Sequence, residues 1–125
     1  KLSKLDEINT AIITSKTKIR AKKIVEEFNL NHQLLITPED ASRGKPNPDP
    51  LLIANRFFDI RPSKLSCLYI GDMDTDYIAS RSANWFFIYA SWGYGKINCE
   101  NKNVDLERCD NIKILDVFLE RWKKI

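Results

Sequence analysis

Apolar and polar positions alternate along this chain in blocks whose periods change from two to about 3.6 and back. The run AIIT (11–14) is short, apolar and β-branched, and it predicts a strand. In TKIRAKKIVEEF (17–28), Ala21, Ile24, Val25 and Phe28 fall on one helical face. QLLIT (33–37) predicts a second strand. It is followed by the Gly- and Pro-rich loop ASRGKPNPDP and a helix over LLIANRFF, which Asn47 or Asp49 could cap and whose prolines suit a first turn. The alternation then repeats: LSCLYIG (65–71) as strand, DTDYIASRSA as helix, WFFIYA (85–90) as strand. SWGYGKINCENKNVDLERCDN follows as a long polar connection, and NIKILDVFLERW closes the chain with Leu115, Phe118, Leu119 and Trp122 at helical spacing.

Strands alternating with helices of this length predict an α/β fold, because each crossover must return the chain to the same sheet and the parallel sheet is then covered on both faces. With 125 residues, 43% hydrophobic and 30% charged, one domain over 1–125 is expected, without an internal repeat or linker to divide it. No apolar run reaches the roughly 18–20 residues of a membrane-spanning helix, and the polar start KLSKLDEINT lacks the apolar core of a secretory signal, so a cytoplasmic location is expected. That start also lacks a methionine, which points to a piece of something longer.

The charge balance of 20 basic against 17 acidic residues is mild. The basic cluster Lys16, Lys18, Arg20, Lys22 and Lys23 has no interleaved aromatics, and it reads as a solvated helix face rather than a nucleic-acid surface. Cys67, Cys99 and Cys109 are odd in number and lack CxxC spacing, which argues against a disulfide framework or a zinc site. His32 reads as a strand-edge residue, and Trp85, Trp92 and Trp122 as core or rim aromatics.

The chemistry gathers where strands end, the place at which open parallel sheets collect ligands. Thr14 and Ser15 follow the first strand, Lys45 lies in the stiff loop before the second helix, and Asp72, Asp74 and Asp76 crowd five positions after the third strand. A hydroxyl and an ammonium bind phosphoryl oxygens, and clustered carboxylates hold a hard cation such as magnesium. So many like charges are costly at a strand end unless a cation and the N-terminus of the next helix offset them. Gly71 would permit a sharp exit from the strand. Taken singly, these residues could equally be helix caps and a loop lysine.

In that order, TSK after an apolar strand, then RGKPNPDPLLIA, then LYIGDMDTDYIASRSA and the WGYG segment resemble the second, third and fourth motifs of the haloacid dehalogenase (HAD) superfamily, in its phosphoglycolate-phosphatase-like branch. The resemblance covers roughly residues 2–95. It implies a three-layer, Rossmann-like core, a Mg²⁺-dependent phosphomonoester hydrolase working through an aspartyl-phosphate, and a small-molecule phosphate ester as substrate. It also implies roles for residues: Thr14 and Ser15 bind the phosphoryl oxygens, Lys45 neutralises charge on the nucleophile and the transferring group, Asp72 binds Mg²⁺, and Asp76 supports the metal and its waters. The family's Ser or Thr after GD is Met73 here, and its glycine near the end of the following helix is Asn84.

The family's first motif, an apolar strand ending in DxDxT or DxDxV, is not in these 125 residues. Asp6, the only candidate, follows no apolar strand and lies too near AIIT for a cap to intervene. The resemblance places that missing strand at the sheet's centre, between the strands ending at Thr14 and Asp72. The chain is therefore expected to be the C-terminal portion of the core, incomplete or rearranged at its central strand, lacking cap and nucleophile, and inactive alone. Its exposed inner edges would pair with each other, with a segment supplying the strand, or with a second copy. Two other readings are a pseudophosphatase that keeps phosphate and metal affinity without turnover, and a receiver-like signalling domain. The order of the acidic pair and the lysine disfavours the last.

Overall fold

The computed structural model describes residues 8–61, 63 and 66–91, and the backbone of 106–109. Over these residues the chain forms β1 (Ala11–Ile13), α1 (Lys18–Glu27), β2 (Leu34–Ile36), α2 (Asp49–Phe58), β3 (Leu68–Gly71), α3 (Asp74–Ser82), β4 (Phe86–Ala90) and β5 (Leu106–Cys109), with one 3-10 turn at Pro38–Asp40. Every described ladder is parallel. β1 pairs with β2 from Ala11↔Leu34 to Ile13↔Ile36, β3 pairs with β4 from Leu68↔Phe86 to Gly71↔Tyr89, and β4 pairs with β5 from Phe87↔Leu106 to Ala90↔Cys109. The fold is α/β, as the alternating periods require.

The ladders fall into two groups, β1-β2 and β3-β4-β5, and among the described residues no strand pairs β1 to β3. What joins the two groups is helix packing. Helix α2 touches β1, β2 and α3, and α3 touches β3 and β4. Leu51 of α2 and Ala79 and Ala83 at α3 form one buried cluster, against which Ile13 of β1 and Tyr69 of β3 both pack. Removing Leu51 from water contributes about 2–3 kcal/mol to holding this junction. Tyr77, Phe87 and Tyr89 make a second cluster beneath β3 and β4.

Two local expectations change. The polar segment 91–111, read as a connection, contains β5, whose Glu107 and Arg108 obscure the period-two signal; with one ladder neighbour among the described residues, this strand needs less apolar character than β4. Helix α2 starts at Asp49, with Pro48 as its N-cap and no side-chain cap. Asn47 turns back to donate to the Gly44 carbonyl, 3.1 Å, and Asp49 receives a two-pronged contact from Arg43 at 3.1 and 3.3 Å. Of the face expected on α1, Ala21 is buried and Ile24 and Val25 are half-buried, while Phe28 is exposed. Cys67 is a buried thiol, as its apolar surroundings predict. The closing helix over NIKILDVFLERW, the WGYG segment, Cys99, Trp92 and Trp122 lie outside the described residues. Among the described residues no helix is long and apolar enough to cross a membrane.

Candidate phosphate-binding site

The 41–48 loop leaves β2 and carries Lys45 across to the end of β3. There the Lys45 Nζ donates to Asp76 Oδ1 at 2.6 Å and to the Tyr69 hydroxyl at 3.0 Å, and the hydroxyl donates to the same Asp76 oxygen at 3.3 Å. The other carboxylate oxygen, Oδ2, accepts the backbone N–H groups of Asp72 and Met73, each at 3.2 Å. Asp76 is thus the third residue of α3 folded back over its own N-terminus, where the helix dipole favours a negative charge. A carboxylate offers about four lone-pair positions, and four donors fill them.

The pair is well removed from water: the Lys45 and Asp76 side chains are 10% and 7% exposed. Burial works against the Lys45 ammonium, but its interactions with the Tyr69 oxygen and the Asp76 carboxylate outweigh it and hold its pKa above the ordinary 10.5. Burial likewise pushes the Tyr69 hydroxyl up to about 12, with the neighbouring ammonium opposing the shift. Tyr69 is therefore a neutral phenol at ordinary pH. The ammonium lies 5.6 Å from the Tyr69 ring centre because it bonds to the hydroxyl at the ring's rim, so the contact is a hydrogen bond rather than a cation over the π face.

Gly71 owes its place to crowding. A Cβ there would lie 2.6 Å from Asp76 Oδ2 and 2.8 Å from its Cγ, and no described glycine has positive φ, so the sharp-exit reason does not apply. The bare backbone of Gly71 is what lets the Asp76 carboxylate fold down. Asn84 takes the left-handed conformation with φ 62, which explains why a glycine would also serve there.

Lys45 and Asp72 meet on one side chain, since both hydrogen-bond Asp76. Thr14 is tied to the surrounding elements by two links. Its N–H donates to the Ile36 carbonyl at the end of β2, from which the chain runs on to Lys45, and the preceding Ile13 packs on the cluster that Tyr69 also touches. The Thr14 Oγ1 accepts the Lys16 N–H at 3.1 Å, which leaves its proton free to donate outward. Ser15 is exposed on the turn beside it. The N-terminus of α1 is closed by Glu39, whose carboxylate accepts the Lys18 N–H at 2.9 Å, while Lys18 Nζ pairs with Asp40 at 3.1 Å. Those contacts hold the Thr14–Ser15 turn against the 3-10 turn after β2.

Among the described residues no three His, Cys, Asp or Glu side chains gather closely enough to hold a metal ion. The four acceptor positions of Asp76, the residue expected to support the metal and its waters, are engaged here by Lys45, Tyr69 and the Asp72 and Met73 N–H groups. Tyr69 was not foreseen; the available signal was a phenol in the strand LYIG, since a Tyr in a buried strand needs a partner for its hydroxyl.

A family model described as haloacid dehalogenase-like hydrolase matches residues 1–90. The chain is 30% identical over 109 residues to a phosphoglycolate phosphatase of Aquifex aeolicus, covering 85% of this chain and 50% of that protein. It is 33% identical over 88 residues to a phosphoglycolate phosphatase of Nitrosococcus oceani, covering 70% and 36%. The crystal structure of a HAD-superfamily hydrolase from Ehrlichia chaffeensis superposes with a TM-score of 0.78 at 24% identity, over 97% of this chain and 54% of that one. The chain therefore spans half or less of the curated relatives' length.

Proposed function

Because this chain belongs to the haloacid dehalogenase-like hydrolases, we propose that it forms the phosphate-binding and charge-stabilising half of a phosphomonoester phosphatase whose attacking carboxylate comes from a segment outside these 125 residues. The observation that carries this reading is the buried Lys45–Asp76 pair beside Asp72 at the strand ends. A cation already desolvated and held by fixed partners needs little reorganisation when negative charge develops next to it, which is the condition for strong electrostatic stabilisation. Lys45 would meet the charge of the nucleophile and of the phosphoryl oxygens. The Thr14 hydroxyl, with Ser15 beside it, would donate to a phosphoryl oxygen. A small phosphate ester would be met there by the Thr14 hydroxyl and the Lys45 ammonium as donors.

Magnesium enters only in part. In the complete protein a magnesium ion would neutralise phosphoryl charge, with Asp72 as a ligand. Asp76, which holds Lys45, would support the metal and its waters from beside it. The inner edges of β1 and β3, unpaired among the described residues, support the missing-segment reading, since a strand inserted there would join the two parallel groups into one sheet. A second copy could cover those edges as well. The lack of DxDxT in the sequence also favours a second reading, a phosphate-binding module without turnover.

Titration with inorganic phosphate, followed by calorimetry, tests the half that both readings share. Thr14→Val and Lys45→Ala should each weaken binding by tenfold or more, as loss of a hydrogen bond to a charged group does. Unchanged affinity in both variants would overturn the reading.

A further inference from the structure

Tyr69 is not needed to make an ion pair, yet it completes one. An ammonium carries three N–H groups. In Lys45 one is directed at Asp76 Oδ1 and a second at the Tyr69 hydroxyl, and the third has no partner among the described residues. With the carboxylate alone, Nζ could swing about a single oxygen on its four-carbon stem and its remaining protons would sweep a wide arc. Two fixed acceptors settle the rotation about the last bond, and the third N–H then points in one direction.

The second acceptor is itself rigid. The Tyr69 ring packs on Leu51, Ala79 and Ala83 to one side, and lies 6.2 Å from the Phe87 ring, which in turn meets Tyr77 at 5.6 Å. Its hydroxyl is oriented by donating to Asp76, so its lone pairs must face the ammonium. The three groups close a ring in which each fixes the other two.

We propose that Tyr69 is the positioning residue for Lys45: its hydroxyl fixes the ammonium so that the one uncommitted N–H is presented to a bound phosphoryl oxygen. The ligand half of this statement rests on the function proposed above; the positioning half does not. Among the described residues the Tyr69 hydroxyl bonds to the lysine and its counter-ion and to nothing else.

The test uses the full protein labelled with ¹⁵N-lysine, with the Lys45 ammonium resonance assigned by its loss in Lys45→Arg. Tyr69→Phe keeps the packed ring and removes the hydroxyl. Exchange of the Lys45 ammonium protons with water should accelerate by about tenfold, the effect of losing one hydrogen bond to a charged group, and affinity for inorganic phosphate should fall by a similar factor. A residue serving stability alone would lower the melting temperature and leave both readouts unmoved, and that result overturns the proposal. Phosphate affinity lost in Lys45→Ala but retained in Tyr69→Phe overturns it too. Faster exchange in Tyr69→Phe, with phosphate affinity unchanged even in Lys45→Ala, supports the positioning and refutes the phosphate reading instead. Independently of any variant, the unsubstituted protein should show a nuclear Overhauser contact between the Lys45 ε-methylene and the Tyr69 ring protons beside the hydroxyl; its absence contradicts the geometry.

Discussion

Replacing Asp76 by alanine should be among the most damaging single changes in this chain, because it strands a buried cation. The substitution removes the carboxylate 2.6 Å from the Lys45 Nζ, in a pair whose side chains are 10% and 7% exposed, and leaves the ammonium with the Tyr69 hydroxyl as its partner. Breaking a buried pair from one side typically costs 3–5 kcal/mol, and losing the acceptor for the Asp72 and Met73 N–H groups at the start of α3 adds about 1 kcal/mol. Against a usual domain stability of roughly 5–15 kcal/mol, such a loss removes a large share. Removing the cation as well should undo most of it: Lys45→Met in the Asp76→Ala background leaves no charge to desolvate, and more than half of the stability should return. Urea unfolding, read as the transition midpoint at constant slope, measures both. A cost below about 1 kcal/mol for Asp76→Ala, or a double variant no more stable than the single, would refute the buried-pair argument.

Three further outcomes follow from the same geometry. Gly71→Ala should destabilise by about 1–3 kcal/mol in a thermal melt, because its Cβ would collide with the Asp76 carboxylate; a wild-type melting temperature would contradict that packing. Asn84→Ala should cost about 1–2 kcal/mol at φ 62, and Asn84→Gly should be tolerated. Tyr69 sets an alkaline limit: its folded pKa is raised, so its contribution is fully present below 10.0, declines as pH rises, and is gone above about 12. That shift corresponds to roughly 3 kcal/mol, and the raised Lys45 pKa acts in the same direction above 10.5. Tyr69→Phe should lose the tyrosine share of this slope in pH-dependent urea unfolding; an identical slope would show that Tyr69 is not the responsible group.

Most of the fold was legible because its signals are local. Strands β1 to β4 are short apolar runs and α1 to α3 keep a helical face, so their existence follows from periodicity. β5 was hidden because Glu107 and Arg108 break the apolar alternation of a strand defined by its neighbour β4. Ends were less readable than middles: Asn47 was a plausible cap, but the loop turned it toward Gly44 and gave the first turn of α2 to Arg43 and Asp49. The meeting of Lys45 with the Asp72–Asp76 segment was foreseeable from family order, whereas the use made of Asp76 was not. Its spacing from Asp72 suits a metal ligand and a helix N-terminal clamp equally, and its bonds to Lys45 and Tyr69 are what the coordinates add. The reason for Gly71 also needed coordinates, since a bare backbone serves a sharp turn or a close approach alike.

The phosphate grip and the missing nucleophile are tested together by turnover. Hydrolysis of a generic aryl phosphate ester by the purified 125-residue chain, with Mg²⁺ present, should not exceed the rate in buffer, since the sequence holds no apolar strand ending in DxDxT or DxDxV to attack the phosphorus. Sustained hydrolysis that disappears in Asp72→Asn would show that these residues already contain a complete active site, and would contradict the half-site reading.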